Sequence, residues 1–262
     1  MAQSPLARTT AGEQLWTTLR RGAQGLLDLL YPPRCAGCGR MGELFCAACQ
    51  ARVEQPPAPA CPRCGRPAED ERLCPTCLAT PSSLDAIAAA AVFASPLRDA
   101  IHHLKYENGR SLAEPLAAIL IAAWQRASFP TDVILPVPLH RQRIAERGYN
   151  QSALLARAFG RGVAVPVDEK MLMRTRATRQ QVGLDRTERA HNVAGAFVCR
   201  GDFPGKRVVL LDDVYTTGST LEACAEALHN AGAIAVCGFV LARARWAPGA
   251  PAPDAAPDVF GS

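Results

Sequence analysis

Asp212 and Asp213 stand side by side after an apolar run, Val208-Val209-Leu210-Leu211, and shortly before the turn Thr216-Thr217-Gly218-Ser219-Thr220. Ionised carboxylates only accept hydrogen bonds, so an adjacent pair suits a vicinal diol or a bound Mg²⁺. A hydroxyl-rich turn around glycine, opening a helix, offers free backbone N–H groups and suits a phosphate. Phosphate beside diol is the chemistry of a ribose 5-phosphate. The apolar run itself reads as a buried parallel strand over 207–212, and ligands of open α/β sheets bind where such strands end. Alternation along a strand sends neighbouring side chains to opposite faces, so both acids face one ligand only if the strand stops at Asp212. Ser219 and Glu222 also fit a helix capping box, a purely structural use of the same turn. A Walker-type phosphate loop is excluded: Gly201–Arg207 has the wrong spacing and no Ser or Thr after Lys206.

The segment Val208–Thr220 resembles the phosphoribosyl pyrophosphate (PRPP) binding motif of type I phosphoribosyltransferases. The resemblance implies that Asp212 and Asp213 hold the ribose 2- and 3-hydroxyls. It makes Thr216, Thr217, Gly218, Ser219 and Thr220 the loop around the 5-phosphate.

Of eleven cysteines, eight fall in four Cys-x-x-Cys pairs: Cys35/Cys38, Cys46/Cys49, Cys61/Cys64 and Cys74/Cys77. A two-residue gap lets a tight knuckle present two thiolates to one zinc ion, and eight thiolates supply two closed, structural sites. Sequential pairing gives Cys35, Cys38, Cys46 and Cys49 to one ion and Cys61, Cys64, Cys74 and Cys77 to the other. A cross-braced scheme is the alternative, as is a redox use of the pairs. Cys199, Cys224 and Cys237 stand alone in apolar stretches and read as core residues.

These groups need elements to position them. Residues 1–33 form an N-terminal helical segment, with leucines in a loosely amphipathic pattern over roughly 11–30 ended before Pro32-Pro33. Residues 34–80 are the double zinc ribbon, whose halves are joined by the proline-rich Gln55–Pro59. Residues 85–245 alternate strand and helix signals: strands over 85–94, 132–137, 163–167, 207–212 and 234–242, and helices over 97–106, 111–127, 150–160 and 219–231. Asn150 is a candidate N-cap and Gly232 a helix stop. Such alternation implies an α/β fold with a mostly parallel sheet and helices on both faces. Residues 246–262 are rich in Pro, Ala, Gly and Asp and read as a disordered tail.

The formal charge is +5, but residues 147–200 carry ten basic side chains against four acidic ones. That patch points to a phosphate-rich partner, small or polymeric. No apolar run reaches the roughly 18–20 residues of a membrane span, and no signal peptide is visible, so a cytoplasmic protein is expected.

Two further stretches fit the same ligand. Residues 136–151, Pro-Val-Pro-Leu-His-Arg-Gln-Arg-Ile-Ala-Glu-Arg-Gly-Tyr-Asn-Gln, follow a strand end and lead into a helix. Arg141, Arg143 and Arg147 suit a diphosphate, and Gly148 admits a close backbone approach. Residues 174–197 contain Arg174, Arg176, Thr178, Gln181, Leu184, Arg189, Asn192 and Phe197, a long polar loop of the kind that closes over ligands.

With the paired knuckles and the Asp-Asp-Val-x-Thr-Thr-Gly motif, these stretches resemble the ComF family over roughly residues 30–242. Its members are competence-associated proteins joining a zinc ribbon to a type I phosphoribosyltransferase domain. The resemblance implies that 136–151 is the pyrophosphate loop and 174–197 the lid. Arg147 and Arg189 would then stabilise departing pyrophosphate, with Mg²⁺ accompanying PRPP. The lid has no lysine between 171 and 191, which several catalytic relatives use, so PRPP binding is better supported than transfer. Three functions follow: a phosphoribosyltransferase with an unidentified acceptor, a non-catalytic single-stranded DNA-binding factor working with other DNA-uptake proteins, or a PRPP sensor. Aromatics near the basic patch are few, so base stacking is weakly supported.

Overall fold

The computed structural model describes residues 32–70, 72–127, 129–176 and 195–245. The expected helix over 11–30, most of the expected lid including Arg189, and the tail from 246 lie outside these residues.

The cysteine module consists of two similar halves. Each has a knuckle followed by a short helix, α1 (Ala47–Gln50) and α2 (Pro75–Ala79). In each, the first cysteine's sulfur accepts a backbone N–H from the third: Cys46 N to Cys35 Sγ and Cys74 N to Cys61 Sγ, both 3.3 Å. The internal repeat read from cysteine spacing is thus a repeat of hydrogen bonding.

The second part builds a four-stranded, fully parallel sheet. Its elements are β1 (Ala86–Val92), α3 (Leu97–Tyr106), α4 (Ala113–Ala127), β2 (Val133–Pro136), α5 (Arg141–Arg147), α6 (Gln151–Val163), the short β3 (Leu172–Arg174) and β4 (Phe197–Cys199), β5 (Arg207–Tyr215), α7 (Ser219–Asn230) and β6 (Ala235–Arg243). The sheet order is β1-β6-β5-β2, and β3 with β4 forms a separate antiparallel pair. Parallel strands covered on both sides read as continuous apolar runs, which is why Val208–Leu211 is buried throughout.

Both faces of the sheet are covered. On one, α3, α4 and α6 bring Leu104, Leu116, Leu120, Leu155 and Phe159 against Val209, Leu211 and Phe239. Trp124 stands edge-on to Phe159 and Phe239, with ring centroids 5.2 and 5.1 Å apart. On the other, α7 brings Leu221, Cys224 and Leu228 against Val208, Leu210 and Val240, beside Phe197 and Phe203. The α/β fold with helices on both faces is as the alternation required.

Three local expectations are corrected. No strand forms over 163–167: α6 runs on to Val163, and Val167 makes a single bridge to Ile134. Pro166 has no N–H for a ladder, which limits this stretch to isolated contacts with β2. The stretch 136–151 is not all loop, because α5 forms within it. Finally, β5 does not stop at Asp212 but runs to Tyr215. Residues 212, 214 and 215 keep their register against Val240, Ala242 and Arg243 of β6, whose ladder carries the strand past the acids.

Candidate functional site at the end of the sheet

β2 stops at Pro136, opposite Leu211, so β5 projects beyond its neighbour; because the strand continues through both acids, Asp212 and Asp213 leave it on opposite faces. Asp213 is 3 % exposed, and Lys105 Nζ from the last turn of α3 lies 3.0 Å from its Oδ2. Asp212 accepts a hydrogen bond from Ser152 Oγ at 2.7 Å, in the first turn of α6, and another from the Asp213 backbone N–H. Burial pushes the Asp212 carboxyl up to about 7, with the adjacent Asp213 charge acting in the same direction.

α5 and α6 meet at a tight turn that frames this acid pair. Gly148 ends α5 in the left-handed region, and its carbonyl accepts from Arg110 Nη2 at 2.8 Å. Tyr149 is buried and donates its hydroxyl to Leu104 O at 2.5 Å, which ties the turn to α3 one residue before Lys105. Asn150 caps α6 as expected, accepting from Ser152 N, while its Nδ2 donates to Val137 O at 3.0 Å. Arg147 hydrogen-bonds Gln151, and its guanidinium lies 5.2 Å from the Tyr106 ring centre. Lys105 and Ser152 therefore meet the acid pair directly, and Arg147 and Gln151 pair with each other beside them.

The structure places the remaining expected residues as follows. Thr216 and Thr217 form the turn after β5, Gly218 is the N-cap of α7, and Ser219 and Thr220 open that helix. Gly218 has φ +83°, a region that suits glycine, and an added methyl group there would come within 2.6 Å of the Tyr215 hydroxyl. The capping box does not form. Glu222 reaches instead to the segment after the second knuckle, accepting from Ser82 Oγ at 2.6 Å and Ser83 N at 2.8 Å. The N-cap residue, Gly218, supplies no side-chain cap, and Thr217 and Ser219 share a hydroxyl contact at 3.1 Å. His140 is the N-cap of α5 and Arg143 pairs with Glu146 on its exposed side, so both have structural explanations.

Sequence reasoning missed Lys105 and Ser152 as members of the site, whereas Arg174 is expected there as part of the lid. From sequence, Lys105 at a helix end fits a simple C-terminal cation about as well as a place at the sheet edge. Arg174, half-buried at the end of β3, lies over the Phe197 ring; burial lowers its pKa, with Cys224 and Asp212 acting the other way. No spacing rule links 105, 152, 174 and 213. Only the crossover connections of the sheet bring them together.

The cysteines form two clusters, Cys35/Cys38/Cys46/Cys49 and Cys61/Cys64/Cys74/Cys77, each with its four sulfurs within 4.8 Å of one another. Pairing is sequential, not cross-braced. Four convergent thiols are the donor set of a closed, structural zinc site. All eleven cysteines are free of disulfide bonds; Cys224 is fully buried, while Cys199 and Cys237 are partly exposed. No helix among the described residues is long and apolar enough to cross a membrane.

A double zinc ribbon domain profile matches residues 26–78, and a phosphoribosyl transferase domain profile matches residues 145–250. The chain is 35% identical over 205 residues to the DNA utilization protein YhgH of Escherichia coli (strain K12), covering 76% of this chain and 90% of that protein. It is 32% identical over 209 residues to competence protein F of Haemophilus influenzae, with the same coverage of each. Competence protein ComFC of Bacillus subtilis is 25% identical over 210 residues, covering 77% of this chain and 85% of that protein. Among solved structures, a glutamine PRPP amidotransferase from B. subtilis aligns at 20% identity over 50% of this chain and 26% of that one, with a TM-score of 0.36, too loose to build on.

Proposed function

The chain belongs to the ComF family of double-zinc-ribbon, phosphoribosyltransferase-domain proteins, and on that premise we propose that it binds PRPP at the end of β5 in the service of DNA uptake or utilization. The observation that carries this reading is the pairing of an acid couple with a phosphate-type turn on one strand end. Asp212 and Asp213, which leave the continuing strand on opposite faces, are assigned to the ribose hydroxyls from either side of the strand end that β2 leaves uncovered, with Lys105 neutralising the more buried acid. Thr216, Thr217, Gly218, Ser219 and Thr220 are assigned to the 5-phosphate, as hydroxyls and backbone N–H groups at the start of α7. Arg147 and Gly148, with Arg189, are assigned to the diphosphate, and Mg²⁺ enters with it as a hard cation suited to phosphate oxygens. The two cysteine clusters hold zinc in a structural role.

Binding is assigned here, and transfer is not: these residues read the ribose and the phosphates, and the acceptor is unidentified. A cytoplasmic location agrees with four-thiol metal clusters, which need reduced cysteines.

The test is calorimetric titration of the zinc-loaded full chain with PRPP and Mg²⁺. Saturable binding supports the pocket and justifies a search for an acceptor. An absence of heat from folded protein overturns it, and the single-stranded DNA-binding reading then leads. A DNA affinity that changes with PRPP would identify the sensor.

The acid pair also sets a pH dependence. Asp212 already accepts from the Ser152 hydroxyl and accepts best from a ribose hydroxyl as well when ionised, so ribose 5-phosphate affinity should rise as pH increases through about 7 and level off above it. Phosphate itself ionises near pH 6 (roughly, for a monoester), so the Asp212→Asn variant separates the two. That variant should lose the component near 7 and keep the lower one. For stability the sign is opposite. A carboxyl whose folded pKa is raised from 3.8 to about 7 makes the fold less stable as pH climbs across that interval.

A further inference from the structure

The two halves of the zinc ribbon are attached to the sheet differently. The first half is part of the core: Cys35, Phe45, Cys46 and Cys49 pack in one cluster with Ala90, Ala91 and Leu97. The second half has its own small cluster, Cys61, Cys74 and Cys77 with Cys64 and Leu73 around them. It faces the turn after β5 across a cleft of ≈ 320 Å³, lined among others by Arg63, Arg66, Tyr215, Thr217, Glu222 and Arg243.

Arg243 spans this division. It ends β6, is 6 % exposed, and donates from Nη1 to the carbonyl of zinc-cluster residue Cys64 at 2.9 Å. Its guanidinium lies 5.6 Å from the ring centre of Tyr215, its register partner on β5. The Tyr215 ring and hydroxyl occupy the space against Gly218, where even a methyl group would clash. At the knuckle end the fit is as tight: Gly65 has φ +63°, and a Cβ there would lie 2.6 Å from Arg243 Nη1. A continuous series of contacts therefore runs from Cys64 and Gly65 through Arg243 and Tyr215 to Gly218. A second tie runs from Ser82 and Ser83 to Glu222 in the first turn of α7.

From this we infer that Arg243 is a positioning residue through which the second zinc knuckle holds the Thr216–Thr220 turn in its anion-binding shape. The inference deepens the proposed function, since it rests on reading that turn as the 5-phosphate loop. The Arg243 guanidinium is rigid and planar, and it is fixed at one end by a part-buried charge-assisted hydrogen bond. Its other face limits where the Tyr215 ring can go. Loss of that bond frees the ring, and the turn resting on it gains conformations that no longer converge their N–H groups.

The experiment compares the zinc-loaded full chain with Arg243→Met and Arg243→Lys. Amide exchange at residues 216–220 needs no ligand; affinities for ribose 5-phosphate and for inorganic pyrophosphate are measured alongside, with zinc content as the control. Arg243→Met should keep both zinc ions and unchanged exchange in α4 and α6. Exchange at 216–220 should speed up, and ribose 5-phosphate should weaken, each by about tenfold, the loss of one charge-assisted hydrogen bond. Pyrophosphate affinity, assigned to the Arg147 end, should hold. Arg243→Lys should recover part of the protection, because an ammonium still reaches the Cys64 carbonyl. Unchanged exchange and unchanged ribose 5-phosphate affinity in Arg243→Met would overturn the inference. If the wild type binds no ribose 5-phosphate, the pocket reading is what fails, and exchange still decides the coupling. If Arg243→Met does not fold, Gly65→Ala answers instead. Its new methyl group displaces Nη1, and native exchange at 216–220 in that variant would equally overturn the coupling.

Discussion

Titrating PRPP and Mg²⁺ into the Asp212→Ala/Asp213→Ala variant is expected to give no saturable heat under conditions that fill the wild-type pocket. Each carboxylate that accepts a ligand hydroxyl contributes a charge-assisted hydrogen bond of about 1.5–3 kcal/mol, so losing both should weaken binding by at least about 100-fold. The obvious objection is that the variant simply unfolds, and the burial of the pair answers it. Two adjacent carboxylates of this kind are costly to the fold: burial and like charge together push Asp212 up to about 7. Removing both relieves that repulsion but leaves Lys105, whose side chain is 22 % exposed, without its counter-ion. The two effects oppose, so the double variant should stay folded with a melting temperature close to the wild type's while losing its ligand. The single variants separate the contributions. Asp213→Ala alone leaves Lys105 without its counter-ion and should lower the melting temperature, whereas Asp212→Ala alone should raise it. Retained PRPP affinity in the double variant would sink the assignment of the ribose site.

What the sequence could and could not reveal follows from the same residues. The acid pair, the turn and the eight cysteines are local: each declares its chemistry within about a dozen positions, so spacing alone locates it. The order of strands and helices was legible for a related reason. Apolar runs such as Val208–Leu211 and the glycine stops are local signals, and crossover rules turn their sequence into a parallel sheet. Lys105 is different. Its neighbours His102, His103 and Tyr106 mark only an ordinary polar helix end. Its role comes from a contact with Asp213, more than a hundred residues later, which exists because β1 and β5 lie in the same sheet. Ser152 and Arg243 were hidden in the same way. The misreadings at 163–167 and at the end of β5 have different causes. At 163–167 the break was present in the segment itself, in Pro166, and was outweighed by the flanking valines; at the end of β5 the β6 ladder decided that pairing continued, and that is not visible from the segment's own pattern.

Breaking the first cysteine cluster is the other large effect expected, and the contrast with the second gives the prediction its force. Cys46→Ser removes one thiolate from a cluster whose members are 1–7 % exposed apart from Cys38, and which packs with Phe45 directly on Ala90, Ala91 and Leu97. Structural zinc in isolated fingers is worth about 10–16 kcal/mol, which matches or exceeds the roughly 5–15 kcal/mol that holds a whole domain folded. Even a partial loss should therefore abolish the cooperative thermal transition or lower it by tens of degrees, by about 2–4 °C for each kcal/mol. The consequences reach β1 directly, because Val92 N donates to Glu54 O at 2.8 Å just beyond that half of the ribbon. Cys74→Ser damages a cluster that packs mainly on itself, so the sheet should keep its transition within a few degrees. What that second variant should lose is order in the Thr216–Thr220 turn, through Arg243. Calorimetric melting of both variants, with zinc counted in each, decides the matter. Equal destabilisation by the two substitutions would mean that the second half is as much a part of the core as the first, and that its contacts with the turn are incidental to holding the fold.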